Sequence, residues 1–151
     1  MTRDKRTIAV HAGTRRSQYS EMSEAIFMTQ GFIYDSAEAA ESRFEQAGED
    51  EFIYARYGNP TVRMFEERIA ALEGAEDGFA TASGMAAVHG VLASMTQAGD
   101  HVVAARALFG SCLYVLEDVL ARFGVRVTLV DGLDLNAWEQ AITNDTKLVF
   151  F

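Results

Sequence analysis

The chain has 151 residues, 49% of them apolar, with a formal net charge of -9 and a pI near 4.7. That acidity argues against non-specific binding to nucleic acid or an anionic membrane, and the lone Cys112 excludes an intrachain disulfide or a CxxC redox or zinc site. There is no apolar run of transmembrane length and no signal-peptide core in the N-terminal MTRDKRTIAVHAG, so a soluble cytoplasmic protein is expected.

Residues 1–34 show weak periodicity and scattered apolar positions, which reads as an extended arm. DSAEAAESRFEQ (35–46) reads as a short helix, with Asp35 as N-cap and Glu38 three residues on. AGEDE (47–51) follows as an acidic, solvated loop. The next helix is the best marked: Asn59 can cap it, Pro60 suits its first position and Gly74 its C-terminal stop. Val62, Phe65, Ile69 and Leu72 recur at helical spacing and predict a buried face, with Arg63, Glu66, Glu67 and Arg68 opposite.

From residue 75 the pattern alternates. DGFATA (77–82) is a short strand or extended segment, SGMAAVHGVLASMTQ (83–97) a helix rich in small residues, and HVVAAR (101–106) a strand after the turn at Gly99-Asp100. SCLYVLEDVLARF (111–123) is an amphipathic helix stopped by Gly124, and VRVTLVD (125–131) is another strand. DLNAWEQAI (134–142) is a short helix capped by Asp134, and KLVFF (147–151) is the last strand. Near-continuous apolar strands alternating with helices predict an α/β fold with a mainly parallel sheet flanked by helices. A buried strand of this kind needs a following loop, so the chain is expected to be the N-terminal piece of a larger protein.

Three stretches can carry chemistry. In TASGMAAVHG (81–90), Ser83-Gly84 opens a helix whose free amides and dipole suit an anion, the plainer alternative being an ordinary serine cap. In YARYGNPT (54–61), Tyr54 and Arg56 share one face of an extended segment and can reach one anion together; otherwise Arg56 is a surface arginine beside core aromatics. In ALFGSC (107–112), Phe109 follows a strand, at the edge where α/β folds open their ligand crevice, and its ring could stack on a planar ligand or simply pack. Asp131, at a strand end, could also touch a ligand. His11, His89 and His101 match no metal-ligand spacing, Cys112 reads as a small buried side chain, and neither the GxGxxG nor the GxxxxGK[ST] fingerprint is present.

Taken in order, Y-x-R-x-x-N-P-T, LE-G, T-x-SGM-A-A and L-F-G-S form a set that resembles the Cys/Met-metabolism family of pyridoxal-phosphate (PLP) enzymes, from about TIAVHAG (7–13) to the last residue. The family includes cystathionine γ-synthase, methionine γ-lyase and the homoserine-ester sulfhydrylases. EAIFMTQGFIYDSAEAA, NPTVRMFEERIAALEGAE and ALFGS look most like the branch acting on O-succinylhomoserine, and Phe109 is the clearest cue, since most relatives have tyrosine there.

The resemblance implies the fold-type-I architecture: an N-terminal arm with a short helix over 1–50, then the first part of the PLP-binding large domain over 51–151. It implies a homodimer-based homotetramer with active sites shared between subunits, and small-molecule substrates, O-succinylhomoserine and sulfide. Tyr54 and Arg56 would bind the phosphate of the neighbouring subunit's cofactor, Gly84 and Met85 would offer backbone amides to the phosphate in their own subunit, and Phe109 would lie over the pyridine ring. PLP chemistry also needs a lysine for covalent attachment. Lys5 and Lys147 are the only lysines and neither has the family's Ser-x-Thr-Lys context, so no catalytic residue is expected within these 151 residues. Two other readings stay open: cystathionine γ-synthase or methionine γ-lyase within the family, and, outside it, a non-catalytic α/β interaction module.

Overall fold

A computed structural model describes residues 4–48 and 50–151. The chain divides into two compact units, one ending at Ala80 and one running from Thr81 to Phe151.

In the first unit, helix α1 (Lys5–His11) lies where an extended arm is expected. It forms because the Asp4 side chain accepts from the Arg6 amide and caps the first turn. Helix α2 (Ala37–Glu45) begins one residue later than the sequence suggests: Ser36, not Asp35, is its cap and accepts from the Ala39 amide. Helix α3 (Pro60–Glu73) has the expected ends. Asn59 accepts from the Thr61 amide, Pro60 opens the helix, and Gly74 closes it in the left-handed region at φ 71°.

The faces of α3 are the main correction. Val62, Phe65 and Ile69 are exposed, whereas Met64 and Ala70 are buried. The chain covers the helix with the arm rather than with an apolar layer, and the arm engages polar side chains. Arg68 donates from Nε to the Ala12 carbonyl at 2.9 Å and pairs with Glu24; Arg15 pairs with Glu67 and with Asp50. Asn59 Nδ2 donates to the Phe27 carbonyl at 3.0 Å, and Thr61 Oγ1 accepts from the Phe27 amide at 2.8 Å. Gly13 makes this close approach possible. It sits at φ +70°, and a Cβ there would lie 2.5 Å from the Met64 carbonyl oxygen.

The Glu24–Arg68 contact gives a pH prediction. Hydrogen bonding from Arg68 is the largest cause holding the Glu24 carboxyl below its ordinary 4.5. A carboxyl lowered in the folded state contributes stability above its unfolded value and loses it as pH falls through the folded one. NMR titration should therefore find a Glu24 midpoint below 4.5, with the Arg68 and Thr14 signals moving in step. A midpoint at or above the ordinary value would show that the arm does not rest on this pair.

The second unit is the α/β body that the alternation predicts. Strands β1 (His101–Ala105), β2 (Arg126–Val130) and β3 (Thr146–Phe150) form a parallel sheet in the order β2-β1-β3. β1 is central and buried along its length. Helix α4 (Gly84–Met95) precedes it, and α5 (Gly110–Tyr114) passes into a π-helical segment, Val115–Leu120, before β2. Helix α6 (Leu135–Ala141), capped by Asp134, connects β2 to β3. DGFATA forms no strand here.

Leu92, Val102, Ala104, Val115, Leu116, Leu120 and Val125 make the core, with Met85, Val88 and Leu108 packed against it. Cys112 is buried and free, as its place in the helix suggests. His101 is also buried, its two ring nitrogens each 2.8 Å from a threonine hydroxyl, Thr146 on one side and Thr128 on the other. Among the described residues no helix is long and apolar enough to cross a membrane, and no cluster of His, Cys, Asp or Glu could hold a metal.

Candidate cofactor-binding residues

The first group of candidate residues lies in the first unit, just before α3. Tyr54 forms an isolated antiparallel bridge with Gly31, reinforced by the Ala55 amide donating to the Gln30 carbonyl at 2.9 Å. This pairing fixes the chain at Tyr54 only; Arg56 lies in a turn over residues 55–57, not in the extended segment its spacing suggests. A tight turn follows at once, with the Tyr57 and Gly58 amides both donating to the Tyr54 carbonyl, at 2.8 and 3.1 Å. The turn folds Tyr57 back toward Tyr54, and the Arg56 guanidinium lies over both rings, 4.8 Å from one centroid and 5.0 Å from the other.

Arg56 is exposed, and among the described residues no carboxylate lies within ion-pair distance of it. The contrast with its neighbours is informative. Arg15, Arg43, Arg63 and Arg68 in the same unit all have carboxylate partners. An arginine left without a counter-ion but braced by aromatic faces is suited to an external anion. Tyr57 was not singled out from the sequence. The two-residue spacing of Tyr54 and Arg56 hides it, since only the turn brings residue 57 to the guanidinium.

The second group lies in the second unit. Helix α4 runs into β1 through the turn at Gln97–Asp100, where the Asp100 amide donates to the Gln97 carbonyl at 3.0 Å. α4 and β1 therefore run in opposite directions, which sets the N-terminus of α4 at the C-terminal edge of the sheet. Phe109 is at that same edge, in the loop leaving β1. Met85 and Leu108 pack on one core cluster and tie the two features together.

At the start of α4, Ser83 Oγ accepts from the Ala86 amide at 3.1 Å, and the Ser83 carbonyl takes the Ala87 amide. The amides of Gly84 and Met85 are left without intrahelical partners, as the first positions of a helix must be. A Cβ built at Gly84 would meet nothing within 4 Å, so the helix start stands in open space. The serine cap and the free amides thus coexist. Phe109 occupies the cap position of α5 without a capping side chain, and its ring is 71% exposed rather than packed in the core.

These groups fit a phosphorylated aromatic cofactor. Each suits part of such a group by itself: free helix-start amides, or an arginine with no counter-ion among the described residues, suit a phosphate of about two negative charges, and an exposed ring offers a stacking face. Asp131 lines an opening of about 330 Å³ with Arg106, Ala107 and Gly132, just past the ends of β1 and β2. Lys147 lies near the start of β3, at the edge of the sheet opposite Phe109, and Lys5 lies in α1.

Residues 6–151 match the family of Cys/Met metabolism PLP-dependent enzymes, and the chain belongs to that family. It is 51% identical over 146 residues to O-succinylhomoserine sulfhydrylase of Mycobacterium tuberculosis, covering 96% of this chain and 36% of that protein. Identity to the O-succinylhomoserine sulfhydrylase of Pseudomonas aeruginosa is 48%, and to an L-methionine gamma-lyase of Fusobacterium nucleatum 42%, each covering 95% of this chain and 36% of the relative. A Campylobacter jejuni structure assigned as an O-acetylhomoserine (thiol)-lyase, carrying N'-pyridoxyl-lysine-5'-monophosphate, superposes with a TM-score of 0.92 at 30% identity, over 99% of this chain and 37% of that one. The chain spans a little over a third of the length of the curated relatives it matches. The fold is thus the PLP-dependent α/β fold expected from the sequence, and PLP is the cofactor of the family.

Proposed function

We propose that this chain is the N-terminal part of a PLP-dependent O-succinylhomoserine sulfhydrylase. Residues 1–50 serve as arm and short helix, and 51–151 as the first part of the cofactor-binding large domain. The whole protein replaces succinate by sulfide: the Cγ–O bond of O-succinylhomoserine breaks, succinate departs with the electron pair, and sulfide forms the Cγ–S bond of homocysteine. It works in the cytoplasm as a tetramer built of dimers. The observation that carries the reading is Arg56, a cation braced by two rings and without a counter-ion among the described residues.

Bound PLP supplies the electron sink for this chemistry. Arg56 and Tyr54 bind the phosphate of a neighbouring subunit's cofactor, and the Gly84 and Met85 amides bind the phosphate in their own subunit. Phe109 stacks on the ring and fixes its plane. Having no hydroxyl, Phe109 moves no proton, and neither Lys5 nor Lys147 is assigned the covalent attachment.

Sulfhydrylase is preferred over methionine γ-lyase because the two sulfhydrylases share 51% and 48% identity with this chain against 42% for the γ-lyase; cystathionine γ-synthase is separated by the acceptor it uses. The full-length protein, given O-succinylhomoserine, should consume sulfide in preference to cysteine and should cleave methionine poorly. A clear preference for cysteine, or efficient methionine cleavage, would replace this assignment with the corresponding relative.

A further inference from the structure

Tyr57 has no evident reason to be where it is. Its side chain is 71% exposed, so it adds little to the packing of the first unit. Yet the turn that carries it is built with two backbone hydrogen bonds to one carbonyl, and its result is to set the Tyr57 ring across the Arg56 guanidinium from Tyr54. Tyr54 is itself oriented by the bridge to Gly31 and by its hydroxyl donating to Gln30 Oε1 at 3.3 Å. The guanidinium is therefore held between one fixed ring and one ring delivered by the turn. An exposed arginine otherwise samples many rotamers, and ordering it on a ligand costs entropy.

We propose that Tyr57 is a positioning residue for Arg56: its ring face holds the guanidinium in the orientation that meets the phosphate of PLP. The inference rests on the reading of Arg56 as a phosphate ligand. It assigns to Tyr57 no contact with the cofactor and no proton transfer. The face of the ring does the work, so phenylalanine can replace tyrosine, whereas an aliphatic side chain of similar bulk cannot.

The test is PLP affinity of the full-length enzyme, measured by titrating cofactor into apoenzyme. Tyr57→Leu should raise the dissociation constant about two- to fivefold, the range for an exposed cation–π contact, and Tyr57→Phe should restore it to the unsubstituted value. In an Arg56→Ala background Tyr57→Leu should change nothing further, because the group it positions is gone. Circular dichroism and melting temperature of Tyr57→Leu control for folding. An effect of Tyr57→Leu that persists without Arg56, or a loss in Tyr57→Phe equal to that in Tyr57→Leu, overturns the proposal. So does unchanged affinity in Tyr57→Leu while Arg56→Ala weakens binding. If Arg56→Ala itself leaves affinity intact, the reading of Arg56 fails, and the inference about Tyr57 fails with it.

Discussion

Arg56→Ala in the full-length protein is expected to raise the PLP dissociation constant about ten- to a hundredfold. A hydrogen bond to a charged group contributes about 1.5–3 kcal/mol, and each ~1.4 kcal/mol is a factor of ten. The upper part of the range applies if the guanidinium grips the phosphate through two parallel hydrogen bonds. Folding should be unaffected, since Arg56 is exposed and has no ion-pair partner among the described residues. That separates it from Arg68, whose replacement would release both Glu24 and the Ala12 carbonyl. Arg56→Lys should recover only part of the affinity, because an ammonium keeps the charge but loses the planar fork. Cofactor titration with the absorbance of bound PLP as readout decides the matter. An Arg56→Ala protein that binds and retains PLP like the parent would remove Arg56 from the phosphate site.

The α/β body was legible because its signals are local and agree with each other. HVVAA and RVTLV are β-branched runs bounded by turn residues, and Ser83 and Asp134 stand where helix starts demand a cap. The first unit was harder to read for a definite reason. Periodicity finds the stripes of α3 but does not say which stripe the chain covers. Val62, Phe65 and Ile69 form the apolar stripe and stay exposed, while Arg68 and Glu67 are half-covered by an arm that binds through backbone carbonyls and ion pairs. A backbone carbonyl carries no residue-type signature, so nothing in the sequence announces that Ala12 will be the partner of Arg68. Short helices fail similarly: α1 depends on one side-chain cap from Asp4 rather than on a repeating pattern. At the candidate site, the spacing of Tyr54 and Arg56 singles them out only by taking the segment as extended, whereas residues 55–57 form a turn; Gly84 and Met85 do open a helix. Tyr57 needed the turn.

The arm itself supplies the second large effect. Gly13→Ala is expected to loosen the arm from α3 at a cost of about 2–5 kcal/mol, from two sources that a paired substitution can separate. A left-handed backbone costs a residue with a Cβ about 1–2 kcal/mol, and Gly13 is at φ +70°. The second source is steric. The new Cβ would lie 2.5 Å from the Met64 carbonyl oxygen, 3.0 Å from Glu67 Cβ and 3.2 Å from the Arg68 amide nitrogen. The oxygen and nitrogen belong to the α3 backbone and cannot swing aside as a side-chain tip would. Relieving that overlap means moving the arm, at about 1–3 kcal/mol for overpacking of this kind. Gly74 is the matched control, at φ +71° with nothing within 4 Å of an added Cβ. Gly74→Ala should therefore cost only the backbone part. The expected signature in Gly13→Ala is local: amide hydrogen exchange in the arm, the Arg15 and Phe27 amides included, should speed up, while exchange in β1 stays slow. Equal effects of the two substitutions, with the arm still protected in Gly13→Ala, would mean that the approach of the arm to Met64 is not what Gly13 is needed for.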